Sequence, residues 1–78
     1  MKHPTREIKA IAKRIKETRG KLSRNDFGIL IGESGSTIQN YEEGQYNREH
    51  TIPVDALIKI SKAFHVDVCW LVTGKNHN

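Results

Sequence analysis

The sequence of 78 residues predicts an all-α domain built from five short helices. Three observations lead to that reading. Apolar side chains recur three and four positions apart, the spacing of one helix face. Each such stretch opens on Thr5, Ser23, Ser34, Pro53 or Asp67, residues suited to a helix start. Gly20, Gly32, Gly44 and Gly74 then stand where four of the five should stop.

The first helix is expected over residues 6–18. Thr5 caps it, and Ile8, Ile11, Ala12 and Ile15 form its inner face. Ser23 caps the second, with Asp26 three residues on as in a shortened capping box; Phe27, Leu30 and Ile31 are its expected buried side. Gly32 ends it, because glycine enters the left-handed region without a steric penalty. The third helix, capped by Ser34, is expected over residues 35–43, with Ile38 and Tyr41 as its apolar contacts. A polar loop follows. Pro53 suits the first turn of the fourth helix, where a missing amide hydrogen does no harm; Val54, Leu57, Ile58, Ser61 and Phe64 mark its inner stripe. Asp67 caps a short fifth helix carrying Val68, Trp70, Leu71 and Val72.

Residues 1–78 are long enough for one domain with one small core. Apolar residues make up 36% and charged residues 28%, a globular composition. The apolar runs are too short for a membrane span, and the charged start has no apolar core of the kind signal peptides need. The single cysteine, Cys69, cannot form an internal disulfide, which fits a cytoplasmic setting. His3, His50, His65 and His77 show no ligand spacing, so no metal is expected. No base or oxyanion hole accompanies Ser34 or Ser36, so neither catalysis, a cofactor nor a small-molecule substrate is expected. The net charge is +4, but it is unevenly spread. The first 24 residues hold nine basic and two acidic side chains, a balance of +7, and the remainder holds four basic and seven acidic, a balance of −3. One end facing a polyanion accounts for that polarity; so does a solubilising helix face.

Two helices joined by a short glycine-containing turn form a helix-turn-helix, whose second helix enters the major groove of DNA. Residues 34–43 suit that role. Ile38 and Tyr41 hold one side to the domain, while Ser34, Gly35, Ser36, Thr37, Gln39 and Asn40 face outward or lie in the first turn. Glutamine and asparagine each pair a donor with an acceptor, matching N6 and N7 of adenine, and serine meets either kind of base edge.

The stretch LSRNDFGILIGESGSTIQNYEEG resembles the helix-turn-helix of the lambdoid phage repressor and Cro superfamily, also called the Xre-type family. Leu22, Ser23, Gly28, Gly32, Ser34, Ile38, Glu42 and Gly44 carry the pattern, and VDVCWLVTGK resembles the last helix of phage repressor DNA-binding domains. The match spans about residues 6–75 and implies a five-helix, lambda-repressor-like DNA-binding domain. The resemblance further implies base reading by Ser34, Gly35, Ser36, Gln39 and Asn40. Phosphate contacts would come from Arg24, Thr37, Asn47, Arg48, Lys2 and Arg6, the first in place of the family's usual glutamine. It implies an ion pair between Arg19 and Glu42, and a homodimer in which Val68, Trp70 and Leu71 take part. Trp70 reads first as a core residue and second as a dimer contact, and His50 as an ordinary loop residue or a DNA contact. Three departures stand out. Gly35 replaces a longer polar residue, Glu33 a usually apolar one, and the loop over residues 45–52 is longer than usual. The function implied is a sequence-specific regulator, of repressor type, on a two-fold double-stranded operator. The alternatives are an antitoxin that binds a toxin and its own promoter, and a protein-interaction module that has lost DNA binding.

Overall fold

A computed structural model describes residues 5–43, 46–47 and 50–76. They form α1 (Arg6–Arg19), α2 (Arg24–Ile31), α3 (Gly35–Glu42), α4 (Val54–Phe64) and α5 (Val68–Thr73). Lys2, Arg48 and Gly44, given roles above, lie outside the described residues, as do His3, His77 and the first residue of the loop over 45–52.

Local chemistry sets most helix ends. The hydroxyls of Thr5, Ser23 and Ser34 accept from the amides of Ile8, Asp26 and Thr37 at 3.1, 3.0 and 3.1 Å. The carboxylate of Asp67 accepts from the Cys69 amide at 2.8 Å. Each bond satisfies one of the amides a helix start leaves without an internal partner. Gly32 sits at φ 75° and its amide donates to the carbonyls of Gly28 and Ile29, closing α2. Pro53 precedes α4 instead of entering its first turn; its carbonyl accepts from Ala56 and Leu57 at 3.1 and 3.3 Å. The end of α4 is made by His65, left-handed at φ 55°, with Ser61 Oγ donating to the Val66 carbonyl at 2.6 Å. Histidine is among the residues that tolerate this conformation, but no glycine marks the stop in sequence. At the end of α5, Arg14 Nη1 donates to the carbonyls of Leu71 and Val72, both at 3.2 Å. A cation there meets both the orphan acceptors and the negative end of the helix dipole.

Phe27, Ile15, Ile38, Ile60 and Leu71 lie at the centre of the core, one from each helix. Phe27 stacks on Phe64 at 4.6 Å between ring centroids, tying α2 to α4. Two expected faces are rotated from the sequence reading. Leu30 is 57% exposed; α2 buries Phe27 and Ile31 as expected, with Gly28 in place of Leu30. In α4, Val54 is 66% and Ile58 39% exposed, while Ala56, Leu57 and Ile60 are buried. Each residue turns the helix by about 100°, so the face toward α2 and α5 excludes these large aliphatics. Val72 also points largely outward. The loop expected to be polar delivers Ile52 to the core and packs Tyr46 against it.

The turn between α2 and α3 rests directly on the backbone of α2. The Glu33 amide donates to the Gly28 carbonyl at 2.8 Å, and a Cβ on Gly28 would collide with the Glu33 carbonyl oxygen. Glycine at 28 thus sets how closely the two helices approach. Beyond the turn, Glu33 pairs with Lys59 at 3.6 Å. Tyr41 and Tyr46 lie 5.7 Å apart by ring centroid. Burial, then the charge of Glu33, then Tyr46 push the Tyr41 hydroxyl from 10.0 up to about 12; burial and Glu33 also raise Tyr46.

Two outcomes follow from this packing. Gly28→Val should lower unfolding free energy by about 3 kcal/mol, read as a shift of the urea midpoint, because a branched side chain must displace the turn; an unshifted midpoint would refute the close approach. Tyr41 keeps its proton in the folded state where the unfolded chain loses it, so its contribution is present below about pH 10 and fades as pH rises through about 12. Between pH 9 and 11 the wild type should lose about 1 kcal/mol more stability than Tyr41→Phe; equal losses would contradict the burial of that hydroxyl.

Candidate nucleic-acid interface

The outer face of α3 is held in place from its C-terminal end. Glu42 has 1% of its side chain exposed, yet it carries a carboxylate. Arg19, at the end of α1, meets it in bidentate fashion: Nε donates to Oε2 at 2.6 Å and Nη2 to Oε1 at 3.0 Å. Arg24, at the start of α2, donates from Nε to Oε1 at 3.2 Å and approaches Glu43 at 3.8 Å. A third nitrogen of Arg19, Nη1, donates to the Leu22 carbonyl at 2.7 Å. One carboxylate thereby joins α1, α2 and α3. Its hydrogen bond, reinforced by its charge, raises the pKa of Arg19 further against the opposing effect of burial. Planar, forked donors suit this role better than an ammonium group does.

At its N-terminal end α3 presents small and amide side chains. Ser36, Gln39 and Asn40 are exposed, and among the described residues no hydrogen bond engages their side chains. Their donors and acceptors are therefore available to a ligand. Ser34 and Thr37 differ: their hydroxyls share a hydrogen bond of 3.0 Å while Ser34 also caps the helix. An open cleft runs between the starts of α2 and α3, lined by Arg19, Ser23, Arg24, Asn25, Gly35, Ser36 and Gln39. Gly35 forms part of its floor. A Cβ there would strike the side-chain amide of Asn25, which occupies the space that glycine leaves.

The other expected contacts are more dispersed. Arg6 is exposed beside Val72 and Thr73, at the opposite end of α1 from Arg19, about 20 Å away along the helix axis. Asn47 Oδ1 accepts from the His50 amide at 3.1 Å, and the two residues also exchange backbone hydrogen bonds, so this amide shapes the loop. On α5, Val68 and Trp70 are half-buried, packed on the core with part of their surface open. Leu71 corrects its assignment to a dimer face: it is 0% exposed, a core residue of the domain. Glu33, which stands where the family usually has an apolar residue, is half-buried beside Lys59.

Sequence reasoning missed Asn25 and Arg14. The signal for Asn25 was present, since a glycine at 35 leaves a space and an amide lies near the start of the preceding helix. Arg14 contacts α5 across 57 residues of chain, and no local pattern announces that.

With this geometry in hand, the fold has clear counterparts. In sequence, no protein-family profile and no curated protein matches the chain. In structure, it is similar to the P22 c2 repressor, solved in complex with synthetic operator 9T in the presence of Tl+, at TM-score 0.69 and 24% identity, covering 83% of this chain and 96% of that one. It is also similar to the restriction-modification controller protein C.AhdI from Aeromonas hydrophila, at TM-score 0.69 and 22% identity, covering 83% and 91%. The chain has the all-α, lambda-repressor-like helix-turn-helix fold, with α2 and α3 as its two eponymous helices.

The clamp sets an order of sensitivity. Arg19→Met should cost about 3 kcal/mol of stability, because it leaves a buried carboxylate with a single donor. Arg24→Met should cost about 1 kcal/mol, since Arg24 is partly exposed and gives one bond. Chemical denaturation of both variants checks the order; a larger loss for Arg24→Met would contradict it.

Proposed function

We propose that this protein is a sequence-specific, double-stranded DNA-binding transcriptional regulator, a repressor that binds a two-fold operator as a homodimer with α3 in the major groove. The observation that carries the reading is the exposed face of α3, whose Ser36, Gln39 and Asn40 side chains are unengaged while its other side is locked to the core. Eight residues make α3 about 12 Å long, comparable to the major-groove width of about 12 Å. The operator-bound state of the P22 c2 repressor and the controller role named for C.AhdI support the same reading.

In this reading Gln39 and Asn40 read base edges through paired donors and acceptors, and Ser36 and Ser34 add hydroxyl contacts. Gly35 contributes by letting the helix approach closely. Arg24, Thr37, Asn47, Arg48, Lys2 and Arg6 contact phosphates, which fix register and supply salt-sensitive affinity. The open surfaces of Val68 and Trp70 meet their counterparts across the two-fold axis. No helix among the described residues is long and apolar enough to cross a membrane, in keeping with a regulator working in the cytoplasm.

Selection from a random duplex library tests the function. It should return two related half-sites in inverted orientation, about 34 Å apart centre to centre. Recovery of unrelated sequences would overturn it. On the selected duplex, Gln39→Ala should reduce discrimination at one base pair by about 1–3 kcal/mol, measured by competition against single-base variants. An unchanged preference at every position would remove Gln39 from the readers.

A further inference from the structure

Resting on the DNA-binding reading above, we infer that Asn25, a residue of α2, supplies the base contact that α3 lacks at Gly35, and so helps set operator specificity. The geometry points to this through the space the two residues share. A Cβ on Gly35 would meet Asn25 Oδ1, and the Cγ of Asn25 lies 3.0 Å from the same point. The backbone amide nitrogen of Asn25 is 3.3 Å from it, so the start of α2 lies directly over the start of α3. The asparagine amide therefore stands where the first atoms of a side chain at 35 would be.

Three further observations give that placement a function. Asn25 lines the cleft together with Gly35, Ser36 and Gln39. It is exposed, and among the described residues no hydrogen bond engages its amide. The two residues that precede it in the cleft are already engaged: Ser23 caps α2, and Arg24 gives its Nε to Glu42. Asn25 thus offers one donor and one acceptor, in the plane of one amide, at the end of the recognition surface. That pair matches N6 and N7 of adenine in the major groove. Because α2 supplies the group and α3 only the space, the two positions act as a unit, and a side chain at 35 must evict the amide at 25.

The test is duplex selection with wild type, Asn25→Ala, Gly35→Ala and the double variant. Wild type should show a required adenine at one position that Gln39→Ala leaves intact. Asn25→Ala should flatten that position, with about a tenfold loss of discrimination. Gly35→Ala should reproduce the same flattening by displacing the amide, and the double variant should add nothing beyond either single change. Asn25→Asp keeps the shape but only accepts, so it should move the preference toward cytosine, whose N4 donates. Thermal unfolding of each variant confirms that folded proteins are compared. If Asn25→Ala keeps the wild-type preference while Gln39→Ala alters its own position, Asn25 is not a reader and the DNA-binding assignment stands. If Asn25→Ala weakens all duplexes equally, its contact is to phosphate and the inference is overturned. If wild type enriches no sequence, both the inference and the assignment fail.

Discussion

A carboxylate with 1% of its side chain exposed is tolerable only when donors replace the water it has lost, and that requirement shapes the working half of this protein. Glu42 ends α3, and its partners come from the end of α1 and the start of α2. Moving α3 in any direction would break charged hydrogen bonds in an enclosed setting. The apolar contacts of Ile38 and Tyr41 bind the helix to the core but resist sliding less, because hydrophobic attraction is not directional. The fork of Arg19 supplies direction. At the other end, Gly28 admits the turn and Gly32 closes α2, so both ends of the short helix pair are fixed. The outer face of α3 is a surface of defined orientation because of these internal constraints.

These bonds change the meaning of the basic N-terminal third. Of its nine cationic residues, Arg14, Arg19 and Arg24 make structural bonds, to the end of α5, to Glu42 and Leu22, and to Glu42 respectively. Arginine fills all three internal positions, while Lys9, Lys13, Lys16 and Lys21 are exposed. The division follows from chemistry: a planar guanidinium spans several acceptors at once, and an ammonium is better left hydrated. The charge asymmetry visible in the composition is therefore partly a record of how the helices are joined.

What was legible in the sequence was local. Thr5, Ser23, Ser34 and Asp67 reveal helix starts because each cap bonds to an amide two or three residues away. The helix-turn-helix was legible because its glycines and its polar outer face are fixed within about 20 residues. Distant packing was not. Leu30 and Ile58 match helical spacing yet face outward, since neither spacing nor size reveals which neighbour a helix will meet. Leu71, placed on an outer face by analogy, fills the core for the same reason. His65 ends α4 in a conformation that glycine would have advertised. Gly35 signalled a space in the sequence, but its occupant, Asn25, became identifiable only when α2 lay over α3.

Under the proposed function, DNA meets this protein at the start and outer face of α3. Titrating isotope-labelled protein with its selected duplex, and following backbone amide resonances by NMR, tests it most directly. The largest changes should fall on residues 34–40 and on Arg24 and Asn25, with α4 little affected outside its first turn. Changes centred on α4 while residues 34–40 keep their free positions would contradict it.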